Sequence, residues 1–453
     1  MKDRDEEILL SPIVRTGKKF YLFIFFLAVL VFIGYFGWAY QLKYGLGVTG
    51  LNRPVFWGLY ITNFVFFIGI SHSGTLISAI LRISKSEWRR AITRSAEVIT
   101  VIVLYIGTFN IILDLGRPDR AWNVIKNGVF EGRIYSPLLW DVFAIATYII
   151  ASTVYLYLPL IPDIAIMRDR ISKRKWFYRI LSLGWNGNDK QKRRLEVAIS
   201  IMAVLVIPIA VSVHTVVSWV FAMTIQPMWH STIFGPYFVV GAIFSGIAAI
   251  IIAMAILRKV YHLEEYIKAI HFNNLGILLL VMVLLWFYFT FAEYLTTFYG
   301  NEPMEMAVFY SRLIGKYAPY FWIMVISNFI VPFIILSNKK TRTISGTVIA
   351  SISVVLGMWL ERFTIVVPTL VNPRLPYEQG IYIPTWVELF LMIGCFAWFI
   401  LFYVIFSKLF PIVSIWEVKE GREKMLEEAG ERMKDYLPGP SGGVKSKKDL
   451  MQK

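Results

Sequence analysis

The sequence predicts an all-α membrane protein of about ten transmembrane helices, arranged as two four-helix bundles plus two peripheral helices. Three observations carry that prediction. Of 453 residues, 57% are hydrophobic and only 17% charged, more apolar surface than a water-soluble chain of this size can hide. The apolar residues fall into ten runs, each near the roughly 20 residues that cross a bilayer. The loops between runs alternate in charge, with about 35 Lys and Arg on one side and about 9 on the other.

The runs are approximately 19–41, 54–82, 91–113, 138–160, 195–220, 234–257, 272–297, 318–337, 343–364 and 384–410. A backbone in lipid must satisfy its own hydrogen bonds, and runs this long and this uniformly apolar do so as helices rather than barrel strands. The charge asymmetry places both termini in the cytoplasm. It also accounts for the net charge of +16 without nucleic acid as a partner. The polar start MKDRDEEILLSPIVRTGKK precedes an apolar run with no small-residue cleavage site, so the first span reads as uncleaved. The single cysteine, Cys395, excludes an intrachain disulfide, covalent haem attachment and an iron–sulfur cluster ligated by this chain alone.

Spans two to five and six to nine form two groups with short internal connections. Ser73-Gly74 to Arg82 and Ser245-Gly246 to Arg258 echo each other, a weak sign of a duplicated four-helix unit. The expected organisation is 1–53, N-terminus and first peripheral helix; 54–220, first bundle with the site; 221–364, second bundle; 365–410, last peripheral helix; 411–453, cytoplasmic tail. The 161–194 loop, basic and carrying Trp176, Phe177 and Tyr178, suits the membrane surface. The long 114–137, 298–317 and 365–383 loops on the outer side offer a docking surface for a soluble partner. In the tail, helical spacing ends at PGPSGG.

Ionisable groups inside the spans demand a partner, water or a role. Span two carries His72 past the midplane, beside Ser71, Gly74, Thr75 and Ser78 at helical spacing. Glu97 and Ser95 in span three can face the same seam, which reads as a proton path or as a packing seam around a hydrogen-bonded histidine. At the outer end, ILDLGRPDR supplies Asp114, Arg117, Asp119 and Arg120; SPLLWD supplies Trp140 and Asp141; SVHTVVSW supplies His214 and Trp219. Asp114, Asp141 and His214 are expected at similar height. A carboxylate pair and an imidazole there suit quinol chemistry, which releases two electrons and two protons from a flat ring. Arg117 either tunes these carboxylates or pairs with one of them. Helix rise puts His72 and His214 roughly 15 Å or more apart, too far to share a haem iron. In the second group, Glu361-Arg362 is expected as a structural ion pair at a helix end.

GISHSGTLISAILR, LGRPDR, SPLLWD, SVHTVVSW, WHSTIFGPYFVVGAIFSG and ERF, in that order, resemble the polysulfide-reductase-like (NrfD-type) membrane subunits, most closely the C subunit of alternative complex III. The resemblance runs from about Phe56 to about Trp416. It implies a quinol site near the outer face of the first bundle, with Asp141, Asp114 and His214 as catalytic groups and Arg117, Trp140 and Trp219 around the quinone. His72, Ser71, Thr75 and Glu97 would form the proton path. It implies menaquinone or ubiquinone and no haem, iron–sulfur cluster or metal on this chain. Implied partners are an extracytoplasmic iron–sulfur subunit, a second NrfD-type subunit and multihaem cytochromes, in the inner membrane of a prokaryote. Two positions depart from the alternative complex III pattern: Asp114 stands where that pattern has His, and Val220 where it has Asp. A secondary transporter, a proton channel and a non-catalytic anchor of a redox complex are the rival readings.

Overall fold

The computed structural model describes residues 2–375 and 378–436; the side chains of 2–3, Ser73, Lys173 and 431–436, together with PGPSGG and the rest of 437–453, lie outside the described residues. Ten helices are long and apolar enough to span a membrane: α1 Lys18–Tyr44, α2 Leu59–Ile83, α3 Thr93–Asp114, α4 Pro137–Arg170, α5 Asp189–Ala222, α6 Phe234–Val260, α7 Ala269–Gly300, α8 Ala318–Ser337, α9 Ile344–Val371 and α10 Trp386–Leu409. Among the described residues there is no strand. The protein is therefore an all-α, multi-pass integral membrane protein.

Helix starts follow local chemistry. Ser136-Pro137 opens α4 with proline at its first turn, where no donor is lost. Asn188 Oδ1 accepts from the Gln191 amide at 2.8 Å at the start of α5, and Thr343 Oγ1 from the Gly346 amide at 3.1 Å at the start of α9. In α8 a wide turn over Ile326–Ile330 holds the buried Asn328.

Helices α2, α3, α4 and α5 pack in one ring, and α6, α7, α8 and α9 in another, joined through α2 with α6 and α9 and through α5 with α6. Helix α2 is the centre: 88% of its most apolar stretch is buried, so its polar stripe faces protein and not lipid. Helices α1 and α10 pair beside α3. There Gly34 and Gly394 let the two backbones touch; a Cβ on Gly34 would lie 2.8 Å from Gly394 Cα.

Both described ends lie on one face, here called the basic face. The helices Lys2–Val14 and Ile415–Tyr436 are joined there by Arg422 to Asp5 at 2.5 Å and by Lys419 to Glu6. Several expected boundaries move: α4 runs to Arg170 rather than 160 and α5 begins at Asp189 rather than 195, both shortening the expected 161–194 loop. Helix α2 begins at Leu59 rather than 54. Helix α9 runs to Val371, seven residues past 364, so Glu361-Arg362 is not at a helix end. It sits ten residues inside, about 15 Å deep by helix rise.

Candidate functional site

The four helices of the first ring each contribute to one polar seam. On α2, Ser71, His72, Thr75 and Ser78 are all 1% exposed or less, spaced to line one face. His72 Nδ1 lies 3.0 Å from the Ile68 carbonyl and Nε2 2.5 Å from the Ala210 carbonyl of α5. Carbonyls only accept. A neutral imidazole can donate to one of them, and a protonated ring to both.

His214, also fully buried on α5, has its ring centroid 3.9 Å from that of His72. Neither of its nitrogens has a hydrogen-bond partner among the described residues. The expected separation of 15 Å or more is therefore wrong. Span two starts five residues later than the hydropathy implies, which lifts His72 by about 7.5 Å, and His214 lies eight residues below the end of α5, about 12 Å deep. The contact leaves no gap for a porphyrin between the two rings.

Below the pair the seam continues towards the basic face. The Tyr148 ring of α4 lies 4.9 Å from His72; its hydroxyl is 2.7 Å from Thr75 Oγ1 and donates to the Ser71 carbonyl at 3.0 Å. Thr100 of α3 donates to the same carbonyl at 2.6 Å. One turn further, Ser78 donates to Glu97 Oε1 at 2.5 Å and lies 3.2 Å from the Tyr155 hydroxyl. Ser152, fully buried, stands between Tyr148 and Tyr155 on α4. Beyond Glu97, Arg82 and Arg89 pair with Glu417 of the terminal helix. Hydrogen-bonded hydroxyls and carboxyls in such a file can pass a proton without moving far.

The opposite end is less concentrated than the sequence implied. Asp141 is 8% exposed, and its Oδ1 has no partner among the described residues; the same holds for Asp114 Oδ1. Asp114 belongs to a neighbourhood of Glu388 and Tyr60. There Tyr60 donates to Gln41 Oε1 at 2.6 Å, and Gln41 donates to the Leu113 carbonyl at 2.8 Å. Arg117 does not reach either aspartate: it is exposed and forms two hydrogen bonds to Asp119, at 3.1 and 3.0 Å. That bond holds the Asp119 carboxyl below its usual range. Trp140 donates its indole N–H to the Ile134 carbonyl at 2.9 Å, and Trp219 is half exposed. His214 thus joins His72 in the seam.

Sequence reasoning did not single out Tyr148, Ser152 and Tyr155. Their spacing of four and three residues along α4 is a polar stripe of the same kind as that on α2, and it was readable. Glu417 lies far along the chain in a charged tail and gave no local signal. Among the described residues no group of three or more His, Cys, Asp or Glu side chains is placed to hold a metal ion.

The profile of the polysulphide reductase NrfD family matches residues 47–373. The chain is 28% identical over 75% of its length to a provisionally named dimethyl sulfoxide reductase membrane subunit of Halobacterium salinarum, covering 75% of that protein. It is 25% identical to the C subunit of the selenate reductase of Mesobacillus selenatarsenatis, with 88% of this chain and 95% of that one aligned. With the Hdr-like menaquinol oxidoreductase integral membrane subunit of Archaeoglobus fulgidus it shares 24% identity, over 89% of this chain and 96% of the other. With the match extending from the start of the first ring to the end of α9, the chain belongs to the polysulphide reductase NrfD family.

Proposed function

We propose that this chain is the quinone-reacting membrane subunit of a multi-subunit respiratory oxidoreductase in the cytoplasmic membrane of a prokaryote, with both ends cytoplasmic. It exchanges electrons between a quinol, menaquinol or ubiquinol, and an iron–sulfur partner on the outer side, with a second subunit of the same family and multihaem cytochromes completing the complex. The name of the archaeal relative, a menaquinol oxidoreductase subunit, supports the substrate class. The basic residues on the face of both termini support the orientation.

One observation carries the reading: Asp141 presents a buried carboxylate oxygen with no partner among the described residues, near the outer end of the bundle that also contains the seam. A buried acceptor left open is where a quinol hydroxyl can bond. In oxidation, the O–H proton passes to the Asp141 carboxylate while two electrons leave towards the outer partner. Asp114, held beside Tyr60 and Gln41, serves the second hydroxyl, and Trp140 and Trp219 flank the ring at the rim. The His214–His72 pair heads a proton route through Tyr148, Thr75, Ser78 and Glu97 to the cytoplasm.

The test is Asp141→Asn in the purified complex. The amide keeps the shape and forfeits no ion pair, so the polypeptides should still co-isolate while quinol turnover falls at least about a hundredfold. Arg117→Gln, whose side chain bonds exposed Asp119 among the described residues, should change turnover less than about twofold. Full turnover by Asp141→Asn would move the reaction elsewhere.

A further inference from the structure

At the outer end of the second ring, a cleft of about 380 Å³ is walled by His230, Ser231, Thr232, Glu293 and Glu305. Glu293 is half-buried, and its Oε2 has no partner among the described residues. The same residue borders a second, narrower void of about 30 Å³, shared with Tyr237, Thr290, Arg312 and Glu361, room for a water or two. Trp286, Thr290 and Glu293 are spaced four and three residues apart on α7, so a polar stripe descends from the cleft. At its foot the Trp286 indole donates to Glu361 Oε1 at 2.6 Å.

Next to Glu361 stands Arg362. Its Nη1 lies 3.0 Å from Glu361 Oε2, but neither terminal nitrogen has a hydrogen bond among the described residues. The guanidinium lies over the Phe238 ring at 4.8 Å. It reaches between α6 and α2: a Cβ on Gly241 would sit 2.6 Å from Nη2, and one on Gly69 4.0 Å from it. Its charge bears on His214. The Arg94–Asp163 pair shows what a purely structural ion pair looks like in this molecule. There Arg94 also donates to the Pro159 carbonyl at 2.8 Å and Ser414 at 3.1 Å, and Asp163 accepts the Ile415 and Trp416 amides at 3.1 and 2.9 Å. Glu361-Arg362 is equally buried yet left open on the side facing the void and the histidines.

We propose that the second ring forms the outer arm of a transmembrane proton route, running from the Glu293 cleft to Glu361, with Arg362 as the barrier between it and His214. The proposal rests on the reading of the His72 seam as the inner arm. Protons hop between carboxylate oxygens, hydroxyls and imidazole nitrogens with no change of oxidation state. A fixed cation between the arms repels an excess proton and so prevents an open wire, as an arginine does in a water pore.

The experiment uses the intact complex in liposomes holding an imposed pH gradient and a trapped pH dye. Arg362→Gln should raise passive proton leak at least about tenfold over wild type, Arg362→Lys should stay tight, and adding Glu293→Gln to Arg362→Gln should restore tightness. A tight Arg362→Gln, or a leak indifferent to Glu293→Gln, overturns the proposal. Should Arg362→Gln fail to assemble, Glu293→Gln alone decides. Its proton transfer per electron during quinol turnover should fall at least about tenfold, and wild-type transfer overturns the proposal. Asp141→Asn in parallel separates the two claims: loss of turnover there with an unaltered Glu293→Gln rejects the outer arm alone. Retained turnover with the leak pattern intact rejects the quinol site alone.

Discussion

His72 of α2 and His214 of α5 stand ring to ring, 3.9 Å between centroids and inclined by 58°. Only His72 is anchored, by carbonyls at both nitrogens. Two protonated imidazoles cannot share this site, because their like charges would face each other where no solvent screens them. The pair can therefore carry at most one excess proton, and in the proposed route His72 would hold it and His214 would take it over.

His72→Gln tests this. The amide can still donate to one of the two carbonyls, so the packing should hold, but it carries no transferable proton at neutral pH. Quinol turnover should fall between about tenfold and a hundredfold, with one limb of its pH profile removed. An unchanged pH profile would return His72 to a packing role.

The seam requires α2 and α3 to lie against each other, and Gly74 sets their distance. A Cβ there would overlap the Ala96 carbonyl oxygen and Thr100 Oγ1, far inside van der Waals contact with both. Backbone cannot give way as a side-chain tip can. Gly74→Ala should cost about 1–3 kcal/mol or more, read as a lower thermal midpoint of the detergent-solubilised complex. It should also slow proton-linked turnover, since Thr100 would leave Thr75 and Ser71. Gly430→Ala, with open space around the glycine, is the control that should change neither.

Much of this was legible because lipid imposes such simple rules. The ten spans followed from hydropathy alone, and the His72 stripe stood out because Ser71, Thr75 and Ser78 are out of place in hydrocarbon. Depth was not legible. Apolar runs blur into apolar loops, so Pro54 to Gly58 looked like helix, and that shift hid the contact between His72 and His214. Charge pairing was not legible either. Arg117 sits beside Asp114 in sequence but bonds Asp119, while Glu361-Arg362 resembled a helix end until α9 was seen to continue to Val371.

Glu417 closes the end of the seam at the basic face. It is 1% exposed and accepts from Arg82 and Arg89. Burial pushes its carboxyl up, but the charges of Arg82, Arg89 and Arg94 prevail and hold it below the ordinary carboxylate range. A depressed folded pKa contributes stability above the unfolded value and loses it as pH falls through the folded one. The terminal helix should thus stay docked down through about pH 4–5 and release only below. Glu417→Gln should weaken docking already at neutral pH, by on the order of 2–3 kcal/mol, less than for a fully buried pair because Arg82 and Arg89 keep some solvent. Limited proteolysis of the tail across pH reads both. Release of the wild-type helix at neutral pH would contradict the assignment.

Tyr148 separates a relay from a packing seam most cleanly. Its hydroxyl joins Thr75 to the Ser71 carbonyl, and its ring packs on His72. Tyr148→Phe keeps the ring and removes only the hydroxyl, so the stability cost should be about 0.5–1.5 kcal/mol. A packing seam would register nothing more. A relay loses the group that carries the proton from His72 to Thr75, and turnover should fall about tenfold or more with a changed solvent deuterium isotope effect. Tyr155→Phe, one station nearer the basic face, should repeat the pattern through Ser78 and Glu97. Wild-type rates and isotope effects in both variants would leave the seam with structure as its only duty.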